Sequence, residues 1–381
     1  MKLETNINLE SHPTEAAVQT SASESRIFKK YFRWVFIITL FSSAFLAAIN
    51  WWIDPLQFYR KASYPALLID QKRFQNPGLA KNYDYDTVIV GTSLSENFRA
   101  SLLKDKMGIN SLNLSMQGAS ANEQSLMLQV ALKTGKVKNV IWDINYEYLR
   151  GDPKWVANYD GSFPYYFYDE NPWNEINNYL LNIDTMKSSF KILLRNAGVR
   201  SYKNHDLEEL FTWDKKRKFN EASVEKAWQR MVKLRPTFEK QIPEYALTNL
   251  NANFDLNFLS WIKAHPEVTF YLYFPPFTPG YYANIQAVSP EIFQNMLKNK
   301  KYIFEQARGL KNVRLHDFQT AQGIIFNLEN YCDLMHFGSN MNEYIVDSFR
   351  SQRHLAEEPQ DELESLVNSE ETAAWVEKVS R

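Results

Sequence analysis

The sequence has almost no cysteine. One cysteine, Cys332, among 381 residues excludes a disulfide framework and a cysteine-rich zinc site. The formal net charge is only -1, so no nucleic-acid partner is expected. The stretch GTSLSE (91–96) lacks the second and third glycines of a dinucleotide-binding turn. We therefore expect neither a cofactor nor a metal.

The N-terminal region contains one long apolar run. Residues 1–25 are polar and without periodicity, which predicts a disordered cytoplasmic tail extending to residue 33. The following 34–53 carries no charge and has the length of a transmembrane helix. Trp51 and Trp52 lie at its C-terminal end, as in an aromatic belt, and four basic residues precede it: Arg26, Lys29, Lys30 and Arg33. The charge bias predicts a single-pass anchor in the cytoplasmic (inner) membrane, with the N-terminus inside and the domain outside. A cleaved signal peptide is the alternative, although bulky residues follow the run.

The remainder of the chain alternates between strand and helix patterns. Residues 54–81 are interpreted as a juxtamembrane linker and 82–350 as an α/β domain. Apolar, β-branched runs predict strands at 86–91, 110–115, 138–145, 267–276 and 311–318. Helical spacing of apolar residues predicts helices at 95–107, 121–135 and 290–309. This order predicts a parallel sheet covered by helices on both faces.

Two segments break the alternation. Residues 150–250 are predicted to form an insertion of helices and loops over the sheet. Its aromatic stretch, 159–181, is either a local aromatic core or a platform on which sugar rings stack. Residues 351–381 are acidic and are predicted to be a solvated C-terminal tail.

Ser93 follows the first predicted strand and precedes a helix. It would therefore lie at the carboxyl edge of the sheet, where ligands bind in parallel α/β proteins. A nearby helix N-terminus favours developing negative charge. A serine needs a base to act as a nucleophile; the alternative role for Ser93 is a turn serine that caps the helix.

His336 is the candidate base. It follows the last predicted strand, so it is expected at the same edge, and Asp333 three residues earlier can reach its Nδ1 while Nε2 points to the serine. The alternative is a satisfied, partly buried histidine. Five other histidines lie in less suitable contexts: His12, His205, His265, His316 and His354.

These blocks resemble the SGNH/GDSL hydrolase superfamily. GTSL (91–94) is similar to its Gly-Asp-Ser-Leu block, with Thr92 at the Asp position, and DLMH (333–336) is similar to its Asp-x-x-His. The resemblance implies a three-layer, flavodoxin-like fold and an oxyanion hole made by the N–H groups of Ser93 and Gly118. The usual Gly-x-Asn-Asp is replaced by VIWDINYEYL (140–149), where Asn145 is the nearest candidate for a third donor.

One membrane-anchored subgroup of the superfamily fits best. The anchor and the following IDP segment resemble the D-alanine transfer protein of teichoic-acid modification and the alginate O-acetylation proteins. The resemblance implies acyl transfer, such as O-acetylation, onto a cell-envelope or secreted polysaccharide. It also implies a multispanning membrane-bound O-acyltransferase as partner. Two alternatives are a carbohydrate esterase and a non-catalytic glycan-binding or envelope-assembly protein that keeps the fold.

Overall fold

Five parallel strands form one sheet in the computed structural model, which describes residues 15–157, 161–202, 206–356 and 362–380. The strands are β1 (Thr87–Val90), β2 (Ser111–Asn113), β3 (Asn139–Asp143), β4 (Thr269–Phe274) and β5 (Val313–Asp317). Their order is β2-β1-β3-β4-β5, and every neighbouring pair is parallel. The predicted parallel α/β sheet is therefore confirmed.

Helices make up most of the remaining structure. The first nine are α1 (Glu15–Ile53), α2 (Lys72–Asn82), α3 (Ser93–Glu96), α4 (Ala100–Met107), α5 (Ala121–Leu132), α6 (Tyr146–Leu149), α7 (Pro172–Glu175), α8 (Ile183–Asn196) and α9 (Leu207–Phe211). The others are α10 (Glu221–Glu239), α11 (Leu247–Phe254), α12 (Ser260–Ala264), α13 (Pro279–Val288), α14 (Pro290–Ala307), α15 (Gln322–Ile325), α16 (Ser339–Ser351), α17 (Glu362–Val367) and α18 (Glu370–Ser380). Short 3₁₀ helices cover Tyr165–Phe167, Asp214–Lys216, Ile242–Tyr245 and Leu328–Asn330, and π-helical turns cover Ile176–Leu180 and Asp255–Leu259.

Helices cover both faces of the sheet. On one face the Trp142 indole of β3 donates to Gln124 of α5 at 2.7 Å and stacks on Phe258 at 4.0 Å between centroids. On the other face Tyr273 of β4 contacts Phe349 of α16. Successive residues of a strand point to opposite faces, so a sheet buried on both sides needs apolar residues at nearly every position. The continuous apolar runs of the sequence reflect this arrangement.

The N-terminal helix is longer than predicted. Among the described residues, α1 contains one segment long and apolar enough to cross a membrane, Arg26–Ile53. The structure has helix already from Glu15, so the predicted disorder does not hold for residues 15–25; residues 1–14 lie outside the described residues. Extending an existing helix costs far less than nucleating one, so the apolar run carries the polar residues before it into helix.

The predicted linker, 54–81, belongs to the folded domain. Asp54 is buried at the end of α1. Its Oδ1 accepts hydrogen bonds from the Phe58 backbone N–H at 2.9 Å and the Tyr179 hydroxyl at 2.8 Å, and its Oδ2 accepts from the Arg60 N–H at 3.0 Å. One carboxylate thus fixes the turn after α1 and ties it to the insertion. Sequence reasoning missed this because the partner lies more than 100 residues away.

Helix α2, which the predicted linker includes almost entirely, is also packed inside the domain. The Arg73 guanidinium is fully buried and forms a two-pronged pair with the Glu123 carboxylate, at 3.0 and 3.1 Å. A Cβ on Gly78 would lie 2.3 Å from the Leu56 carbonyl oxygen, so only glycine allows α2 to pack this closely on the preceding turn. The linker prediction failed because the polar residues of α2 are paired inside the domain instead of being solvated.

The C-terminal residues 351–381 are also part of the domain where the structure describes them. The Trp375 ring of α18 packs edge-on against Trp228 at 6.0 Å and covers Gly280, whose missing Cβ would fall 2.0 Å from the ring. The predicted solvated tail is therefore wrong for α17 and α18. Their acidic composition conceals an apolar face made by Leu363, Leu366, Val367, Trp375 and Val379. Residues 357–361 and 381 lie outside the described part.

The insertion 150–250 has the predicted helices and loops. In the described part of its aromatic stretch Tyr165 and Trp173 are exposed. Phe163 instead packs 4.6 Å from Tyr168, and Phe167 packs 4.9 Å from Phe58, which precedes the insertion, measured between ring centroids. These four rings are buried. For them the local-core interpretation holds, and a sugar-stacking platform would have to use other residues.

Candidate active site

At the end of β1 the backbone of Gly91 passes very close to the side chains of Asp143 and Ser95. A Cβ on Gly91 would lie 1.9 Å from Asp143 Oδ1 and 2.6 Å from Ser95 Oγ. No other residue fits between them, because real Cβ contacts are far longer. The glycine therefore lets the chain turn directly from β1 into α3.

A buried carboxylate holds this turn. Asp143, at the end of β3, accepts hydrogen bonds from the Thr92 N–H at 3.1 Å, the Thr92 hydroxyl at 3.3 Å and the Ser95 hydroxyl at 2.6 Å. Ser95 also shares a 2.8 Å hydrogen bond with the Tyr273 hydroxyl. Burial raises the pKa of Asp143, and the donors oppose this rise. We did not predict Asp143 as a site residue; a lone acid inside the apolar strand VIWD was the available signal.

Ser93 is the first residue of α3. Thr92 is the N-cap, and its hydroxyl accepts from the Leu94 N–H at 3.3 Å. The predicted single helix 95–107 is two helices, and the first begins earlier than expected. Ser93 thus lies at the carboxyl edge of the sheet, as predicted, while the capping role falls to its neighbour.

The structure brings Ser93, His336 and Asp333 together. Ser93 Oγ lies 2.8 Å from His336 Nε2, and His336 Nδ1 lies 2.8 Å from Asp333 Oδ2. The second carboxylate oxygen accepts the backbone N–H groups of His336 at 2.7 Å and Met335 at 2.8 Å. The Cys332 N–H donates to the His336 carbonyl at 3.0 Å and closes the loop. The Asp-x-x-His spacing therefore forms a small closed turn in which the carboxylate orients the imidazole.

The charges in this turn affect one another. Burial lowers the pKa of His336, but the Asp333 carboxylate outweighs it, with help from Glu96, and holds the pKa above its ordinary value. Burial raises the pKa of Asp333, but its hydrogen-bonded partner His336 holds it below the ordinary value. Burial and the Asp333 charge raise the pKa of Cys332 to about 12, so that thiol stays protonated. The imidazole is thereby set up to accept a proton while the carboxylate stays ionised.

Of the three predicted oxyanion donors, Gly118 and Asn145 lie in different surroundings. Gly118 sits in a turn closed by the Ala119 N–H to the Met116 carbonyl, where its φ of 62° suits glycine, and the Met116 N–H binds the Gly91 carbonyl at 3.0 Å. This ties the turn to the β1 exit. Asn145 is the buried N-cap of α6, and its side-chain oxygen accepts from the N–H two residues on. Neither Asn145 nor Gly118 is among the residues that line the cavity at Ser93, although Gln117, next to Gly118, is.

A cavity of about 340 Å³ opens beside the triad. The insertion supplies much of its wall: the Trp213 indole N–H donates to the Ser93 carbonyl at 2.8 Å, and its ring meets His336 edge-on at 5.4 Å. Sequence reasoning missed Trp213, since nothing local marks a tryptophan 120 residues from the serine. The lining residues are Asp70, Lys72, Ser93, Glu96, Gln117, Leu210, Phe211, Thr212, Trp213, Lys216, Arg217, Cys332, Asp333 and His336.

This cavity wall carries both signs of charge. Lys72 Nζ lies 2.7 Å from Glu96, and both side chains are buried. Lys216 and Arg217 are exposed on the insertion side. A ligand in this cavity would therefore meet charged and hydrogen-bonding groups as well as the apolar side chains of Leu210 and Phe211.

The other histidines lie elsewhere. His316 is buried in β5, where its Nδ1 is 2.9 Å from the Arg353 carbonyl, and burial lowers its pKa to about 4. His265 and His354 do not line this cavity. His12 and His205 lie outside the described residues. Within the described part of the chain, no group of three or more His, Cys, Asp or Glu side chains is arranged to hold a metal ion.

The geometry gives one serine a base and gives that base an orienting acid. This arrangement supports nucleophilic attack on a carbonyl carbon. No known family model matches the chain, and no curated protein sequence matches it. The resemblance to the SGNH superfamily therefore depends on the short blocks around Ser93, Gly118 and His336.

Proposed function

We propose that the protein is a membrane-anchored, SGNH-type serine acyltransferase that transfers acyl groups, such as acetyl, to a cell-envelope or secreted polysaccharide. The observation that carries the proposal is the continuous chain from Ser93 through His336 to Asp333, with both contacts at 2.8 Å. The two segments lie more than 200 residues apart in the sequence, and each carries a recognisable block, GTSL and DLMH.

The reaction proceeds in two balanced halves. Ser93 Oγ attacks the carbonyl carbon of an acyl ester while His336 Nε2 takes the hydroxyl proton. The tetrahedral intermediate collapses, the C–O bond to the donor breaks, and His336 returns the proton to the leaving oxygen. A sugar hydroxyl then gives its proton to His336 and attacks the acyl-serine carbonyl carbon. The carbon–oxygen bond to Ser93 breaks, and His336 returns the proton to Ser93 Oγ, which restores the free serine. Asp333 stabilises the imidazolium in both halves.

The negative oxygen of each intermediate needs hydrogen-bond donors. The Ser93 N–H at the start of α3 and the Gly118 N–H in the adjacent turn are the proposed pair. Asn145 is not assigned here, because its side chain caps α6.

The proposed topology has the N-terminus in the cytoplasm and the domain on the outer side of the cytoplasmic membrane. The basic residues before the apolar segment support this orientation. The proposed partners are the polysaccharide and a multispanning O-acyltransferase that passes acyl groups across the membrane. A periplasm-dependent reporter fused after residue 381 is expected to be active.

The test of the chemistry uses the full chain in detergent. The protein is incubated with an activated acyl ester or a serine-directed phosphonate, and its intact mass is measured. One adduct per chain is expected for the native protein and for Ser101→Ala, which removes an exposed hydroxyl on α4. Ser93→Ala and His336→Ala are expected to give none while the thermal melt is retained. Undiminished labelling of the Ser93→Ala protein would falsify the proposal.

The same preparation separates transferase from esterase. With a sugar acceptor present, a transferase moves the acyl group to the sugar faster than to water. Equal loss to water with and without acceptor would favour the carbohydrate esterase.

A further inference from the structure

Helix α8, in the insertion, has two contrasting faces. Ser189 and Ile192 are buried against the rest of the protein. Ile183, Phe190 and Leu194 face outward, with exposed fractions of 59%, 46% and 36%. At 100° per residue the three outward positions fall on one side of the helix. Large apolar side chains aligned on an exposed helix face indicate a surface made for an apolar medium.

This helix is attached to the end of the membrane-spanning segment. The Ser189 hydroxyl donates to the Asn50 side-chain oxygen at 3.0 Å, and the Asn50 amide donates to the Leu180 carbonyl at 2.8 Å. Asn50 lies three residues before the end of α1, which corresponds to about 5 Å along the helix axis. The neighbouring Trp51 and Trp52 are exposed. Helix α8 therefore sits at the level where interfacial tryptophans are found.

The charges on the outward side match a lipid surface. Lys187 and Lys191 are exposed and share the side of Ile183 and Phe190. Lysines beside an apolar stripe are typical of helices that lie in the headgroup region, where the ammonium groups meet lipid phosphates. Lys187 also pairs with Asp184 at 2.8 Å, but such an exposed pair is weak and leaves the lysine free to reorient.

We propose that α8 lies in the plane of the membrane, with its apolar side inserted into the leaflet that contains the C-terminal end of α1. The inference depends on α1 crossing the membrane and not on the acyltransferase chemistry. Lipid is the occupant because the patch is continuous with an exposed apolar helix that itself requires lipid. The domain is thus held at two points, the end of α1 and the face of α8.

The test measures the depth of a fluorescent label. Phe190→Cys in a Cys332→Ala background is labelled with a nitrobenzoxadiazole group, and the full chain is reconstituted without other proteins into phosphatidylcholine/phosphatidylglycerol vesicles. Spin-labelled lipids carrying the quencher near the headgroup or deep in the acyl chain are added separately. Trp52→Cys is the interfacial reference, and Lys298→Cys, exposed on α14, is the control.

Quenching of the Phe190 label is expected to match that at Trp52, with the shallow quencher more effective than the deep one. The Lys298 label is expected to remain unquenched. An Ile183→Cys label should behave like the one at position 190. If labels at both 183 and 190 resemble that at 298, the proposal is overturned, and a protein partner for this face is favoured instead. Replacing Lys187 and Lys191 with Glu should weaken quenching in vesicles containing phosphatidylglycerol; unchanged quenching would overturn the lysine contribution.

Discussion

Asp143 offers the most discriminating test of how the turn before Ser93 is held. Replacing it with alanine removes the acceptor for the Thr92 N–H, the Thr92 hydroxyl and the Ser95 hydroxyl. The Ser95 hydroxyl keeps Tyr273 as a partner, but the backbone N–H is left buried and unsatisfied. A stranded buried donor costs about 1–3 kcal/mol, and each lost bond to a charged acceptor about 1.5–3 kcal/mol.

The loss of these hydrogen bonds is partly offset by a second effect of removing the carboxylate. The pKa of Asp143 is raised by burial, so removing the carboxylate also relieves an unfavourable desolvation. We therefore expect Asp143→Ala to cost about 2–4 kcal/mol in unfolding free energy. A domain of this size loses roughly 2–4 °C of melting temperature per kcal/mol. Asp143→Asn keeps one acceptor oxygen and presents its amide to the Thr92 hydroxyl, which can accept, so it is expected to cost less than about 1 kcal/mol.

The measurement is thermal unfolding in detergent, followed by intrinsic fluorescence, combined with the rate of phosphonate labelling well below the melting temperature. The alanine variant is expected to melt several degrees lower and to label more slowly, because the turn before Ser93 loosens. The asparagine variant is expected to stay close to the native protein in both. Equal losses in the two variants would refute the reasoning, since they would show that the negative charge, not the acceptor geometry, holds the turn.

Three further predictions concern pH, packing and the thiol. Asp333 holds the pKa of His336 above its ordinary value, so the rate of labelling by an uncharged phosphonate should rise with pH through that elevated pKa. Asp333→Asn should shift this rise to lower pH and reduce its plateau. A rise at unchanged pH would contradict the interaction between Asp333 and His336. Gly280→Ala forces a Cβ into the Trp375 ring and should destabilise the domain by about 1–3 kcal/mol, seen as a lower melting temperature. An unchanged melting temperature would mean that α18 can move away from Gly280 at no cost in stability. Cys332, with its pKa raised to about 12, should resist iodoacetamide at pH 8 in the folded protein and react after denaturation, whereas rapid alkylation of the folded protein would exclude a protonated thiol.

The sequence predicted features that depend on local pattern. The strands were recognisable because a sheet buried on both faces needs unbroken apolar runs, as in VIV (88–90). Ser93 and His336 could be paired in advance because the carboxyl ends of parallel strands meet at one edge. Asp333 followed from spacing alone, since three residues suffice to close the loop.

The features missed depend on distant contacts. Asp54 and Arg73 look like solvated linker residues until their partners in the insertion and in α5 are known. Trp213 carries no local signal, although it contacts both the serine and the histidine. The C-terminal helices are acidic overall, and this composition predicts a solvated tail, but Leu363 and Trp375 are buried against the domain.

The turn fixed by Asp54 has a consequence for reach. Because a buried carboxylate locks the chain just after α1, the domain cannot sweep through a volume as a body on a flexible tether does. If α1 spans a membrane and Ser93 acylates a polysaccharide, as we propose, Ser93 acts at a nearly fixed distance from the bilayer, and only polymer segments that approach to that distance can react. Acyl groups would accordingly be found on the polysaccharide segments that pass close to the membrane. Inserting flexible residues between α1 and the domain would spread acylation over more of the polymer.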